Sequence, residues 1–254
     1  MACGAQAAGG DGREVALAWV VVPSAPSTAV VAAKPGEVVL KQRLLPFGYA
    51  ALAADAHDAK TGNLVAPAAT PLLRLQSNGG VVYCVAADPK RTALARAKPG
   101  SPYLRACFLD ADGDGRFEGS AEYDGELLAL PSVSGRLPKH MHPLTQPVGY
   151  EVRPVQDYPP AMVVGIRFDG FARLSGQPVF KDVYGQDDRT DGLNRAWPRT
   201  DDGKGALAKT GTVLLDGAVI SVVENDGATL KLRIERTIPA GVFGIRQSGR
   251  SHFF

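Results

Sequence analysis

The sequence predicts an all-β protein, mostly antiparallel, arranged as a sandwich or two small packed sheets with long irregular loops. Three observations carry this. Glycine (29) and proline (19) are dense in a chain of 254 residues, which favours many short strands joined by turns over helices. Apolar and polar residues alternate with a period of two, most plainly through Leu230, Lys231, Leu232, Arg233, Ile234 and Glu235. Turn signals punctuate the chain at Lys34-Pro35-Gly36, Asn78-Gly79, Asp216-Gly217 and Asp226-Gly227. With 45% hydrophobic and 21% charged residues the chain can bury a full core, which excludes wholesale disorder. A formal net charge of +2 without a long basic or acidic block signals neither a nucleic-acid partner nor an acidic tail. No repeat of fixed period is visible, and the length has room for one large β domain or two smaller ones.

Residues 1–12, MACGAQAAGGDG, are small and offer no packing face, so they read as a flexible tether. Residues 13–22 make the first core strand. Their apolar part, 15–22, falls far short of the roughly 20 residues that span a bilayer. Asp11 and Glu14 stand where a secretory signal would carry basic residues. Strands follow at 28–33 and 37–45, and Asn78-Gly79 predicts a two-residue type I′ hairpin leading into 81–86. Residues 103–109 and 117–123 are β-formers flanking an acidic turn, which completes a β domain over 13–124. Residues 125–160 hold seven prolines and no periodicity, the pattern of an interdomain linker or a long surface excursion.

Residues 161–254 return to strands and can belong to the same domain. Met162, Val164, Ile166 and Phe168 alternate with smaller or polar residues. A polar loop spans 184–211, then 213–215, 219–223 and 229–236 form a meander with one buried and one wet face. Stepping back by two from Phe254 meets His252, Arg250, Ser248 and Arg246, so no lipid-facing stripe of a membrane barrel is present there.

The most informative stretch is Cys107-Phe108-Leu109-Asp110-Ala111-Asp112-Gly113-Asp114-Gly115. Three carboxylates this close repel by about 1 kcal/mol per pair at 4 Å even in water. A hard cation inside the cluster relieves this, and Ca²⁺ accepts six to eight oxygen ligands in a flexible shell. The pattern D-x-D-x-D-G resembles the calcium loop of EF-hand and dockerin-type proteins. The resemblance implies that Asp110, Asp112 and Asp114 are ligands, that Arg116 offers its carbonyl, and that Phe117 takes the apolar position. Glu118 would act through water at the ninth place, and either Glu118 or Glu122 would complete the shell. The twelfth place, usually a bidentate Glu, is Ala121, with Glu122 one residue late and Asp124 three late. The resemblance therefore covers about nine residues, as a loop between strands rather than between helices. Asp and Gly also make ordinary hairpin turns without metal.

The three cysteines lack any C-x-x-C spacing. Cys84 and Cys107 lie in strand-like runs and would be either one disulfide in an oxidising compartment or two buried thiols. Cys3, in Ala2-Cys3-Gly4, resembles the mature start of a bacterial lipoprotein, which implies lipid attachment and a membrane-tethered protein; an ordinary tail is the alternative.

Other chemistry is sparse. His140 and His142 flank Met141, a set that suits copper or zinc but shows no third ligand. The pairs Asp187-Asp188 and Asp201-Asp202, in a loop that also carries Asp191, offer an acid/base pair or a second cation site, or simply a solvated loop. Ser251 lacks the second glycine of a nucleophile elbow. Trp19, Trp197, Tyr184 and Phe180 can line a sugar-binding face, although core packing is the default for each. The expectation is an exported, calcium-stabilised β protein of the bacterial envelope or cell surface, periplasmic, attached to the outer membrane or extracellular. Its role would be binding or structural rather than enzymatic. A hydrolase of glycans or esters using the 185–202 carboxylates or His140 and His142 is the alternative. A third is a self-assembling surface or filament subunit whose first twelve residues an assembly contact would order.

Overall fold

The computed structural model describes residues 13–86, 104–124, 134–138, 140–159, 161–173, 176–186, 189–196, 211–215 and 217–244. Along the chain the strands are β1 (Arg13–Val21), β2 (Val30–Ala33), β3 (Val38–Pro46), β4 (Tyr49–Leu52), β5 (Ala56–His57), β6 (Leu64–Ala66), β7 (Pro71–Ser77) and β8 (Val81–Val85). They continue as β9 (Leu104–Asp110), β10 (Arg116–Asp124), β11 (Ser134–Leu137), β12 (His142–Arg153), β13 (Met162–Phe171), β14 (Pro178–Gln186) and β15 (Arg189–Ala196). The last four are β16 (Gly211–Leu215), β17 (Ala218–Asn225), β18 (Leu230–Arg236) and β19 (Gly241–Gly244). Among the described residues there is no α-helix, only a 3-10 turn at Val155–Asp157, and no helix long and apolar enough to cross a membrane. The protein is all-β, and all its strand pairs in this region are antiparallel.

Six strands close on themselves. β7, β4, β12, β10, β9 and β8 are neighbours in that order, and β7 also pairs with β8. Closure leaves these strands without a free edge along the paired stretches. The period of two sorts their side chains. Leu72, Tyr83, Phe108, Phe117 and Val148 gather in an inner cluster, to which Ala56 of β5 and Ala66 of β6 add. Leu73, Leu75, Val82, Cys84, Cys107 and Leu109 point the other way, into a second core. Phe108 and Phe117 are wholly buried, each contributing about 1.5–3 kcal/mol on transfer from water.

β1 joins this ring to the rest. Its residues Val15, Ala16 and Leu17 pair with β7, and Trp19, Val20 and Val21 pair with β3. β3 continues the sheet through β13, β14 and β15. The four-stranded sheet β16-β17-β18-β2 contributes Val213, Ile220, Leu230, Leu232 and Ile234 to the second core, beside Trp19, Met162, Ile166 and Phe180. β13 bonds directly to β3 from Met162 to Arg167, so strands from both the 13–124 and the 161–254 regions are neighbours in one sheet.

Three local expectations differ from the structure. The stretch 125–160 contains β11 and β12 rather than only linker, and β12 pairs with both β10 and β4. Its register breaks between Pro143 and Val148, the kind of irregularity at which a strand tolerates proline. The polar stretch 184–211 includes the end of β14 and all of β15, which among the described residues pairs with β14 alone. At the β7–β8 turn the left-handed residue is Gly80, with φ 70°, not Asn78 or Gly79. The connection is therefore longer than a two-residue type I′ turn, and Ser77 Oγ braces it by accepting the Gly79 N–H at 3.1 Å.

Candidate metal centre

The acidic loop closes the β9–β10 hairpin of the six-stranded ring. Cross-strand pairing of Leu109 with Gly119 fixes the hairpin, and β9 ends with Asp110. Asp110 follows Ala106 and Phe108 on the inward face, so alternation turns its carboxylate inward, and it is fully buried. The chain then turns through Gly113 (φ 80°) and Gly115 (φ 86°), a backbone conformation in which a β-carbon is strained.

The loop wraps its own carboxylates with backbone N–H groups. Asp110 Oδ1 accepts from Gly113 at 2.6 Å, and Asp110 Oδ2 accepts from Gly115 at 3.1 Å. Asp112 Oδ1 accepts from Asp114 at 3.1 Å, and Asp114 Oδ1 accepts from Arg116 at 2.8 Å. Glu118 Oε2 accepts from Ala111 at 2.9 Å, tying the start of β10 across the loop. One carboxylate oxygen each from Asp110, Asp112, Asp114 and Glu118 lies within 4.8 Å of the others. Asp112 and Asp114 are exposed, while Glu118 is half-buried. An all-oxygen set of this charge suits a hard divalent cation rather than a thiolate- or imidazole-seeking metal.

Arg116 lies opposite Gly149, and the flanking Tyr150 N–H donates to Gly115 C=O at 3.4 Å. This marks Arg116–Gly149 as a non-hydrogen-bonded pair, so the Arg116 N–H and carbonyl face away from β12, toward the loop. The N–H is held by Asp114, and the carbonyl lies on the same side of the strand. Glu118 joins the cluster; Glu122 lies opposite Ala106, four residues further along β10. At about 3.3 Å per residue it is roughly 13 Å beyond Glu118.

Tyr150, forty residues beyond Asp110, is the part of the site that sequence reading missed. Its hydroxyl donates to Asp110 Oδ2 at 2.9 Å. Its ring stacks on Phe117 with centroids 4.5 Å apart, and Phe117 stacks on Phe108 at 5.3 Å. Burial, then its bond to Asp110, pushes the Tyr150 phenol well above its ordinary pKa. The phenol therefore stays a donor at any physiological pH. Burial likewise raises Tyr83, with Asp110 adding to the effect and Arg74 opposing it. No local motif announces Tyr150; only the register of β12 against β10 brings it in.

Comparison with protein-family models, curated proteins and solved structures finds no match to the chain. The likeness to known calcium loops thus rests on the loop itself, where the structure gathers a potential metal-binding group from Asp110, Asp112, Asp114 and Glu118.

Among the described residues the remaining candidates do not converge on a site. Cys84 and Cys107 are cross-strand partners on β8 and β9 and form a disulfide, buried in the second core. Such a bond fits an oxidising compartment. His140 and His142 are exposed; His142 Nδ1 lies 3.9 Å from Asp58 Oδ2. Backbone and side-chain hydrogen bonds from Thr61 lead in holding the Asp58 carboxyl below its ordinary pKa, with His142 a smaller cause. Among the described residues no group of three potential metal ligands includes either histidine. Trp19, Tyr184 and Phe180 are buried in the core rather than presented to a sugar. Asp191 falls on β15, opposite Tyr184. Cys3, Asp187, Asp188, Trp197, Asp201, Asp202 and Ser251 lie outside the described residues.

Proposed function

We propose that the loop binds one Ca²⁺ through Asp110, Asp112, Asp114, the Arg116 carbonyl and Glu118. The ion serves structure: it pins the β9–β10 hairpin at the point where a buried carboxylate enters the aromatic interior. The observation that carries this reading is the convergence of four carboxylates within 4.8 Å, one of them fully buried. Calcium is favoured over magnesium because the oxygens sit on a pliable glycine-containing turn, whereas Mg²⁺ demands near-ideal octahedral geometry and keeps its waters.

The protein around the ion is an exported β protein of the bacterial envelope or cell surface, with a binding or structural role. The Cys84–Cys107 disulfide supports export. So does a calcium loop without the bidentate twelfth ligand, whose affinity falls toward the millimolar end of the range and needs an extracellular supply to fill it. Titration calorimetry on the calcium-stripped protein tests the reading. One ion per chain, lost in Asp112→Ala and only weakly displaced by excess Mg²⁺, is expected. Absence of heat with Ca²⁺ up to ten millimolar, together with no binding in equilibrium dialysis, would overturn it.

A further inference from the structure

We draw no further inference here: the strongest candidate, the uncharged edge strand β2 with Val30 and Val31 exposed at the rim of the four-stranded sheet, carries nothing because nothing in the structure shows what covers it.

Discussion

Asp110 and Asp112 sit two residues apart and do different work. Asp110 accepts two loop N–H groups and the Tyr150 hydroxyl while fully buried. Removing it leaves those donors unsatisfied, at about 1–3 kcal/mol for each that water cannot reach. Asp112 is exposed and accepts one N–H from its own turn. Asp110→Ala is therefore expected to lower the urea midpoint whether or not calcium is present. Asp112→Ala is expected to lower it only in calcium. A second carboxylate gives a pH prediction. Asp169 is held below its ordinary pKa first by a hydrogen bond from Lys181 at 2.5 Å, with Arg167 adding to it at 3.1 Å. A depressed folded pKa stabilises the fold above the unfolded value of 3.8 and is lost as pH falls through the folded value. The stability gap between wild type and Asp169→Asn is thus expected to be full at neutral pH and to shrink below about pH 4 in acid titrations.

Strands β8 and β9 are joined by backbone pairing and by the Cys84–Cys107 disulfide, which spans 23 residues of sequence. A loop of that size contributes roughly 3 kcal/mol through the unfolded chain. The double variant Cys84→Ala/Cys107→Ala should lose about that much in guanidinium denaturation, and alkylation of the denatured wild type should find Cys84 and Cys107 protected from labelling. Equal stability of the two proteins would show that the bond does not constrain the unfolded state. The elements differ in how far their residues announced them. β18 was legible because Leu230, Leu232 and Ile234 are buried while Lys231, Arg233 and Glu235 face water. β12 was not, because Pro143 and Pro147 break its pattern at the same place that its register breaks. β15 was not, because RTDGLNRA has no apolar alternation, and among the described residues it pairs with β14 alone. The acidic ligands were legible as a local motif; Tyr150 was hidden because its place depends on pairing between distant strands.

Across the whole molecule, the ring that encloses Phe108, Phe117 and Tyr83 shares its outer face with the core of the other sheets. That closure depends on the β7–β8 pairing, which alternation alone does not reveal, so the sequence reading reached all-β but not a closed ring. Attachment is also a property of the whole molecule. If Cys3 carries lipid, the native protein partitions into detergent, and its N-terminal peptide has the mass of an acylated cysteine; an unmodified Cys3 in the soluble fraction would contradict anchoring. A single chain holds only marginally, so more than one acyl group is expected. The central claim is that a calcium ion bound at the β9–β10 loop stabilises the fold. Free calcium at 100 times the dissociation constant contributes about 2.7 kcal/mol. At roughly 2–4 °C per kcal/mol for a chain of this size, that is a rise of about 5–11 °C in melting temperature. The decisive measurement is the melting temperature of the wild type and of Asp112→Ala, each in calcium and in chelator. A rise of that size with calcium is expected in the wild type, none in Asp112→Ala, and closely similar melting of the two in chelator. A wild-type melting temperature that calcium and chelator leave unchanged would contradict it, and the loop would then be an acidic turn held only by its own N–H groups.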